Sequence, residues 1–158
     1  MEEFIFLDDI ATADVAIESR GDTLEELFSA SARATFEVMV DTGDVQPEIK
    51  KVIHLENSEI DGLLFDWLAE IIYLKDSEAV VFCKFEIKIK SPEATLWADS
   101  RPDSVGKDKG YFLDAEIYGE EINPSRHELR CDVKAITFHL FEVYEKDRKW
   151  IARFILDI

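Results

Sequence analysis

The residues that most often carry catalysis or shape active-site loops are scarce in this chain. Among 158 residues there are two cysteines, three histidines, six glycines and four prolines. Cys83 and Cys131 stand far apart without a Cys-x-x-Cys spacing, which excludes a zinc ribbon or a disulfide framework. Both read as small buried or half-buried side chains. The few glycines form neither G-x-x-x-x-G-K-[ST] nor G-x-G-x-x-G, so the usual phosphate cradle of nucleotide enzymes is missing, and no His-Glu-x-x-His pair is present. No apolar run approaches membrane-spanning length, and the opening Met1-Glu2-Glu3 has the wrong charge for a secretory signal. The expectation is a soluble, cytoplasmic protein. Basic residues are the last shortage: 18 Lys and Arg face 35 Asp and Glu, for a net charge of -17. That balance argues against unaided binding to nucleic acid or to an anionic membrane and suits cations or basic protein surfaces.

What is present is apolar patterning. Hydrophobic residues make up 47% of the chain, enough for the core of one domain spanning 1–158. Phe4 to Leu7 and Val15 to Glu18 read as short strands around a loop, Asp8 to Asp14, that contains three aspartates. Asp22 and Glu25 have capping-box spacing, and Leu24, Leu27, Phe28, Ser31, Ala34, Thr35, Val38 and Met39 follow at helical spacing until Asp41 to Gly43. Pro47 to Glu56 reads as a strand with Ile49, Lys51, Ile53 and Leu55 on one face. Ser58 then caps a second helix, whose stripe of Ile60, Leu63, Leu64, Trp67, Leu68, Ile71 and Ile72 is a core face. Val80 to Lys90 sets Val81, Cys83, Phe85, Ile87 and Ile89 inward against Lys84, Glu86, Lys88 and Lys90. Beyond Pro92, strands at Thr95 to Ala98 and Tyr111 to Tyr118 flank a charged hairpin loop, Asp99 to Gly110. Gly119 to His127 is turn-rich, and Lys134 to Tyr144 and Trp150 to Leu156 pair as a hairpin. This order predicts an α+β fold: a mainly antiparallel β-sheet packed with two principal helices.

The closing strand ends in an unusual way. Trp150, Ala152, Phe154 and Leu156 alternate with Ile151, Arg153 and Ile155, so the strand is held by its packing. It delivers two negative groups, the Asp157 side chain and the Ile158 carboxylate, to one place. At ~5 Å and an effective dielectric of ~20 their repulsion is about 3 kcal/mol, which invites a cation. The loop before Val15 offers Asp8, Asp9, Thr12 and Asp14 as further hard oxygen ligands, a set that suits Ca²⁺ or Mg²⁺. A solvated tail is the alternative. Lys134 opens a strand in which Ile136, Phe138 and Leu140 are apolar, so its ammonium belongs at the rim of the core. His54, His127 and His139 suit hydrogen-bonded structural roles better than a metal site.

Several of these segments together resemble one family. Phe6-Leu7-Asp8 followed by Thr12-Ala13-Asp14-Val15 is similar to the amino-terminal signature of the archeases. Leu24-Glu25-Glu26-Leu27-Phe28, then Leu63, Leu64, Trp67 and Leu68, then Gly119, Glu120 and His127, continue the match in order. Lys134-Ala135-Ile136-Thr137-Phe138-His139 resembles the family's Lys-Ala-Val-Thr-Tyr-His segment, and Leu156-Asp157-Ile158 its typical ending. The resemblance implies an archease fold and a protein that assists the RtcB-type tRNA-splicing ligase, promoting guanylylation of the ligase and its multiple turnover. It implies a divalent cation, typically Ca²⁺, on Asp14, Asp157 and the Ile158 carboxylate, and a functional role for Lys134. His139, Thr137, His127 and Glu120 are supporting candidates. Two departures stand out: Ala11 replaces the family's usual histidine beside an apparent two-residue insertion, and the 99–110 loop is longer than usual. Beside this activator reading stand a metal-dependent phosphoester hydrolase with His139 as base, and a general chaperone.

Overall fold

The computed structural model describes residues 2–7, 14–92 and 110–158. The expected strand at 95–98, the charged loop at 99–109 and the aspartates and Ala11 of the 8–13 loop lie outside the described residues. In chain order the described elements are β1 (Glu3–Phe6), β2 (Val15–Gly21), α1 (Leu24–Met39), β3 (Ile49–Asn57), α2 (Ile60–Glu78), β4 (Val80–Lys90), β5 (Tyr111–Glu121), β6 (Ala135–Lys146) and β7 (Lys149–Asp157), with one 3-10 turn at Thr42–Asp44. All neighbouring strands run antiparallel.

They form two sheets rather than one, in the orders β1-β2-β7-β6 and β3-β5-β4. The division follows from α1, which is buried on more than one side. Small residues Ala30, Ser31, Ala32 and Ala34 let it lie close to its neighbours, and it packs on β2 and β7 of one sheet and on β4 of the other. Phe36 meets Phe82 edge-on and stacks on Phe85, with centroids 5.6 and 6.0 Å apart. Across the helix, Ile17, Phe154 and Leu156 close the core against the four-stranded sheet. The α2 stripe is buried as its spacing predicts, and the Trp67 indole donates to the Phe28 carbonyl at 3.1 Å, tying α2 to α1.

Both helix starts fall one residue later than the sequence suggested. Thr23, not Asp22, is the N-cap of α1: its hydroxyl accepts from the Glu26 amide, and the Glu26 carboxylate accepts from the Asp22 amide. For α2 the cap is Glu59, whose amide donates to the Asn57 side chain, so Ser58 does not cap. The β6–β7 hairpin turns through Asp147 and Arg148, both with positive φ, the two-residue geometry that matches strand twist.

The larger departure lies in β6. Thr137 pairs with Ile155 and Glu142 with Arg153, so residues 138–141 stand opposite Phe154 alone. Leu140 has a φ of 56°, and this bulge breaks the alternation on which the sequence reading relied. Phe138 and Leu140 are therefore 71% and 56% exposed rather than inward, and Lys134 is exposed rather than at the rim of the core. Phe138 instead lies flat on Phe65 of α2, ring centroids 3.7 Å apart.

The stretch from Gly119 also differs, because Gly119 to Glu121 continue β5 instead of turning. A Cβ at Gly119 would sit 1.9 Å from the Val81 carbonyl oxygen, which is why glycine is required there. The next residue, Glu120, is buried and accepts hydrogen bonds from the Gln46 amide at 2.9 Å and from His127 Nε2 at 2.7 Å. His127 Nδ1 in turn accepts from the Asn123 amide, which leaves Nε2 to donate to Glu120. Arg126 closes the group as an ion pair to Glu120. Burial alone pushes the Glu120 carboxyl up, but the bonds from Arg126, His127 and the Gln46 amide outweigh it and hold it at about 2. Glu120 and His127 thus latch the 122–128 connection onto β5 and the segment before β3. Cys83 is half-buried as expected, whereas Cys131 is exposed, because the segment before β6 runs along the surface.

Two outcomes follow. Gly119→Ala forces backbone apart and lowers unfolding free energy by about 3 kcal/mol or more, measurable by urea denaturation. Glu120 contributes stability that is complete above its unfolded value of 4.5 and is lost as pH falls toward its folded value of about 2. The gap between wild type and Glu120→Gln, about 2 kcal/mol at neutral pH, therefore shrinks across that window in acid unfolding titrations.

Candidate functional site

The residues singled out near the two chain ends meet at one edge of the four-stranded sheet. β7 is central in that sheet, pairing with β2 on one side and β6 on the other. Val15 is opposite Leu156 and Ala16 opposite Ile155. Asp14 precedes Val15 and Asp157 follows Leu156, so the two acids flank the last pair of this ladder. On the other side Ala135 faces Asp157, and the Lys134 amide donates to the Asp157 carbonyl at 2.8 Å. Asp14, Asp157 and Ile158 are all half-buried, while Lys134 is exposed. Three distant stretches of sequence therefore converge within one residue of Asp157.

Asp14 and Asp157 thus bring two carboxylates to adjoining ends of β2 and β7. Their oxygens are hard donors of the kind that Ca²⁺ and Mg²⁺ take. Among the described residues, no group of three or more His, Cys, Asp and Glu side chains is placed to hold a metal. A cavity of about 420 Å³ opens beside Asp14, walled by Phe6, Leu7, Glu37 and Arg130. Arg130 is held there by its bonds to the Glu37 carbonyl at 2.8 Å and carboxylate at 3.1 Å.

The supporting candidates separate. Thr137 lies on β6 two residues beyond Ala135, with its hydroxyl buried and unbonded. His139 is exposed within the bulge. His127 and Glu120 belong to the latch on β5 and are not part of this edge. His54, on β3, pairs with Asp114 on the exposed face of the three-stranded sheet.

Two buried charges went unnoticed in the sequence. Glu18 on β2, its side chain 3% exposed, accepts from Arg20 at 2.7 and 3.0 Å and from Arg153 at 2.8 Å. Burial pushes its carboxyl up, and these guanidinium bonds outweigh that and leave it lowered. Lys75 on α2 is buried among Asp76, Asp132 and the Val133 carbonyl. A signal for Lys75 exists, since it lies four residues after Ile71 and seven after Leu68, on the core stripe. Nothing in the alternation of β2 marks Glu18.

No helix among the described residues is long and apolar enough to cross a membrane. Residues 4–158 match the sequence profile of the Archease protein family (MTH1598/TM1083). The chain is 37% identical over 158 residues to the protein archease of Methanothermobacter thermautotrophicus, covering all of both chains. The solution structure of Methanobacterium thermoautotrophicum protein 1598 superposes with a TM-score of 0.79 at 36% identity, covering 98% of each chain. The crystal structure of an archease from Thermotoga maritima, described as a possible chaperone, has the same fold at a TM-score of 0.58 and 18% identity, over 94% of this chain and 93% of that one. Strand order, the two helices and the full-length match together show that the chain belongs to the archease family.

Proposed function

We propose that this protein is a non-enzymatic, cytoplasmic activator of an RtcB-type tRNA-splicing ligase. In this reading a divalent cation, Ca²⁺ or Mg²⁺, is held by Asp14, Asp157 and the Ile158 carboxylate, and Lys134 stands beside it. The reading is supported by the end of β7, where Leu156 pairs with Val15 and the Lys134 amide donates to the Asp157 carbonyl, so that Asp14, Lys134 and Asp157 share one edge. A cation relieves the repulsion of the two carboxylates. With two or three protein ligands it keeps open positions for oxygen atoms of a partner's nucleotide or active site. The ammonium of Lys134 adds a second positive group at the same edge. A net charge of -17 speeds encounter with a basic RNA-processing enzyme and turns free RNA away. The cation and Lys134 bias guanylate transfer within the ligase, while the chemistry belongs to the ligase.

A second reading, a chaperone for several clients, has one observation in its favour: Phe138 and Leu140 are exposed at the bulge. It predicts that light scattering of unrelated aggregating proteins falls when this chain is added, and that Leu140→Ser removes the effect.

The activator reading predicts that Asp14→Asn and Asp157→Asn each weaken Ca²⁺ binding by about tenfold or more in calorimetric titration, the scale expected for loss of a charged ligand. One glycine added after Ile158 does the same without lowering the melting temperature. Unchanged affinity in all three variants removes the cation site. In single-turnover guanylylation of the ligase, wild type raises the rate, and Lys134→Ala raises it far less but measurably. A ligase equally fast with and without the wild-type chain refutes the function.

A further inference from the structure

One buried charge lies next to the Asp157 edge. The Lys75 side chain is 6% exposed on α2, a position where an aliphatic residue would complete the apolar stripe. Burying an ammonium is costly unless every donor is used. All three are: Lys75 Nζ bonds the Asp132 carboxylate at 2.7 Å, the Asp76 carboxylate at 2.5 Å and the Val133 carbonyl at 3.1 Å. Burial lowers the Lys75 pKa, and the two carboxylates outweigh that and raise it, so the charge is permanent at neutral pH.

The third bond matters most, because the Val133 carbonyl and the Lys134 amide belong to one peptide group. That group is clamped at both ends. Its oxygen accepts from Lys75 on α2, and its N–H donates to the Asp157 carbonyl on β7. Upstream, the Arg130 and Cys131 amides donate to the Met39 and Val38 carbonyls at the end of α1, so the segment approaches this peptide along a fixed path. The Val133 side chain is fully buried, and Lys134 beyond it is exposed. The plane of one peptide thus sets where Lys134 leaves the surface and how it sits against Asp157.

We propose that Lys75 is a positioning residue: its buried ammonium orients the Val133–Lys134 peptide and thereby fixes Lys134 relative to Asp157 at the proposed cation edge. The functional consequence rests on the activator reading, whereas the positioning itself does not. A buried ion group offers little net stability over an apolar side chain of similar volume, which leaves orientation as its use here.

The test compares wild type with Lys75→Met, of similar length and without the charge. Amide hydrogen exchange reads the clamp directly. Protection of the Lys134 amide falls about tenfold or more in the variant, while that of Ile17 and Phe154 in the same sheet stays within about twofold. Guanylylation of the ligase at saturating activator reads the consequence. Lys75→Met loses rate, and Lys75→Met combined with Lys134→Ala is no slower than Lys134→Ala alone, because the first change acts through the second residue. Asp132→Asn, at an exposed acceptor that leaves no cavity, loosens the same amide by a smaller factor and covers the case of a Lys75→Met chain that does not fold. An unchanged Lys134 amide in a folded variant, or rate losses that multiply in the double variant, overturns the proposal. If wild type itself fails to stimulate the ligase, the activator reading falls, and the exchange measurement still decides whether Lys75 positions Lys134.

Discussion

The antiparallel pairing of β7 with two partners is the constraint on which the rest depends. β7 is buried on both faces, with Ala152, Phe154 and Leu156 toward α1 and Ile151 and Ile155 on the other side. A strand held from both faces and both edges has one register, because a slip of one residue would send every core side chain to the wrong face. That single register brings Asp14 and Lys134, about 120 residues apart in sequence, to the same end of β7. Removing the pairing on either edge would scatter the site without touching any of its side chains.

Around this frame the buried charges are consistently compensated. Glu18 lies between Arg20 and Arg153, Glu120 between Arg126 and His127, and Lys75 between Asp76 and Asp132. Each joins segments far apart in sequence: β2 to β7, β5 to the segment before β3 through the Gln46 amide, and α2 to the segment that leads into β6. Buried ion groups of this kind do little for net stability against apolar packing, yet breaking one is expensive. Their common effect is to make the relative placement of elements specific. Asp14 and Asp157 differ, since they are like charges at adjoining strand ends and only half-buried.

Much of the architecture was legible because burial follows period. The α2 stripe, the alternation of β4 and β7, and the hairpin at Asp147 and Arg148 were all written in local pattern and turn chemistry, and these are properties of neighbouring residues. The misreadings share one cause. Phe138 and Leu140 were placed inward by extrapolating period 2 through a bulge, and Gly119 was read as a turn when a close backbone approach to Val81 demanded it. Both depend on what lies across the sheet, which alternation along one strand does not encode.

The sequence by itself determined the composition of the surface, two amphipathic helices, an α+β class, and a terminal strand too well packed to fray that ends in an acid. It also carried the family, because the ordered motifs extend over almost the whole chain. Only the tertiary structure decided that the strands divide into two sheets around α1, that Asp14 comes to the edge where Lys134 bonds the Asp157 carbonyl, and that Lys75 reaches the peptide before Lys134. The physical reason is the range of the interactions. Periodicity and capping act over a few residues, whereas strand register and buried ion pairs are settled by partners a hundred residues away, which meet only once the core has closed.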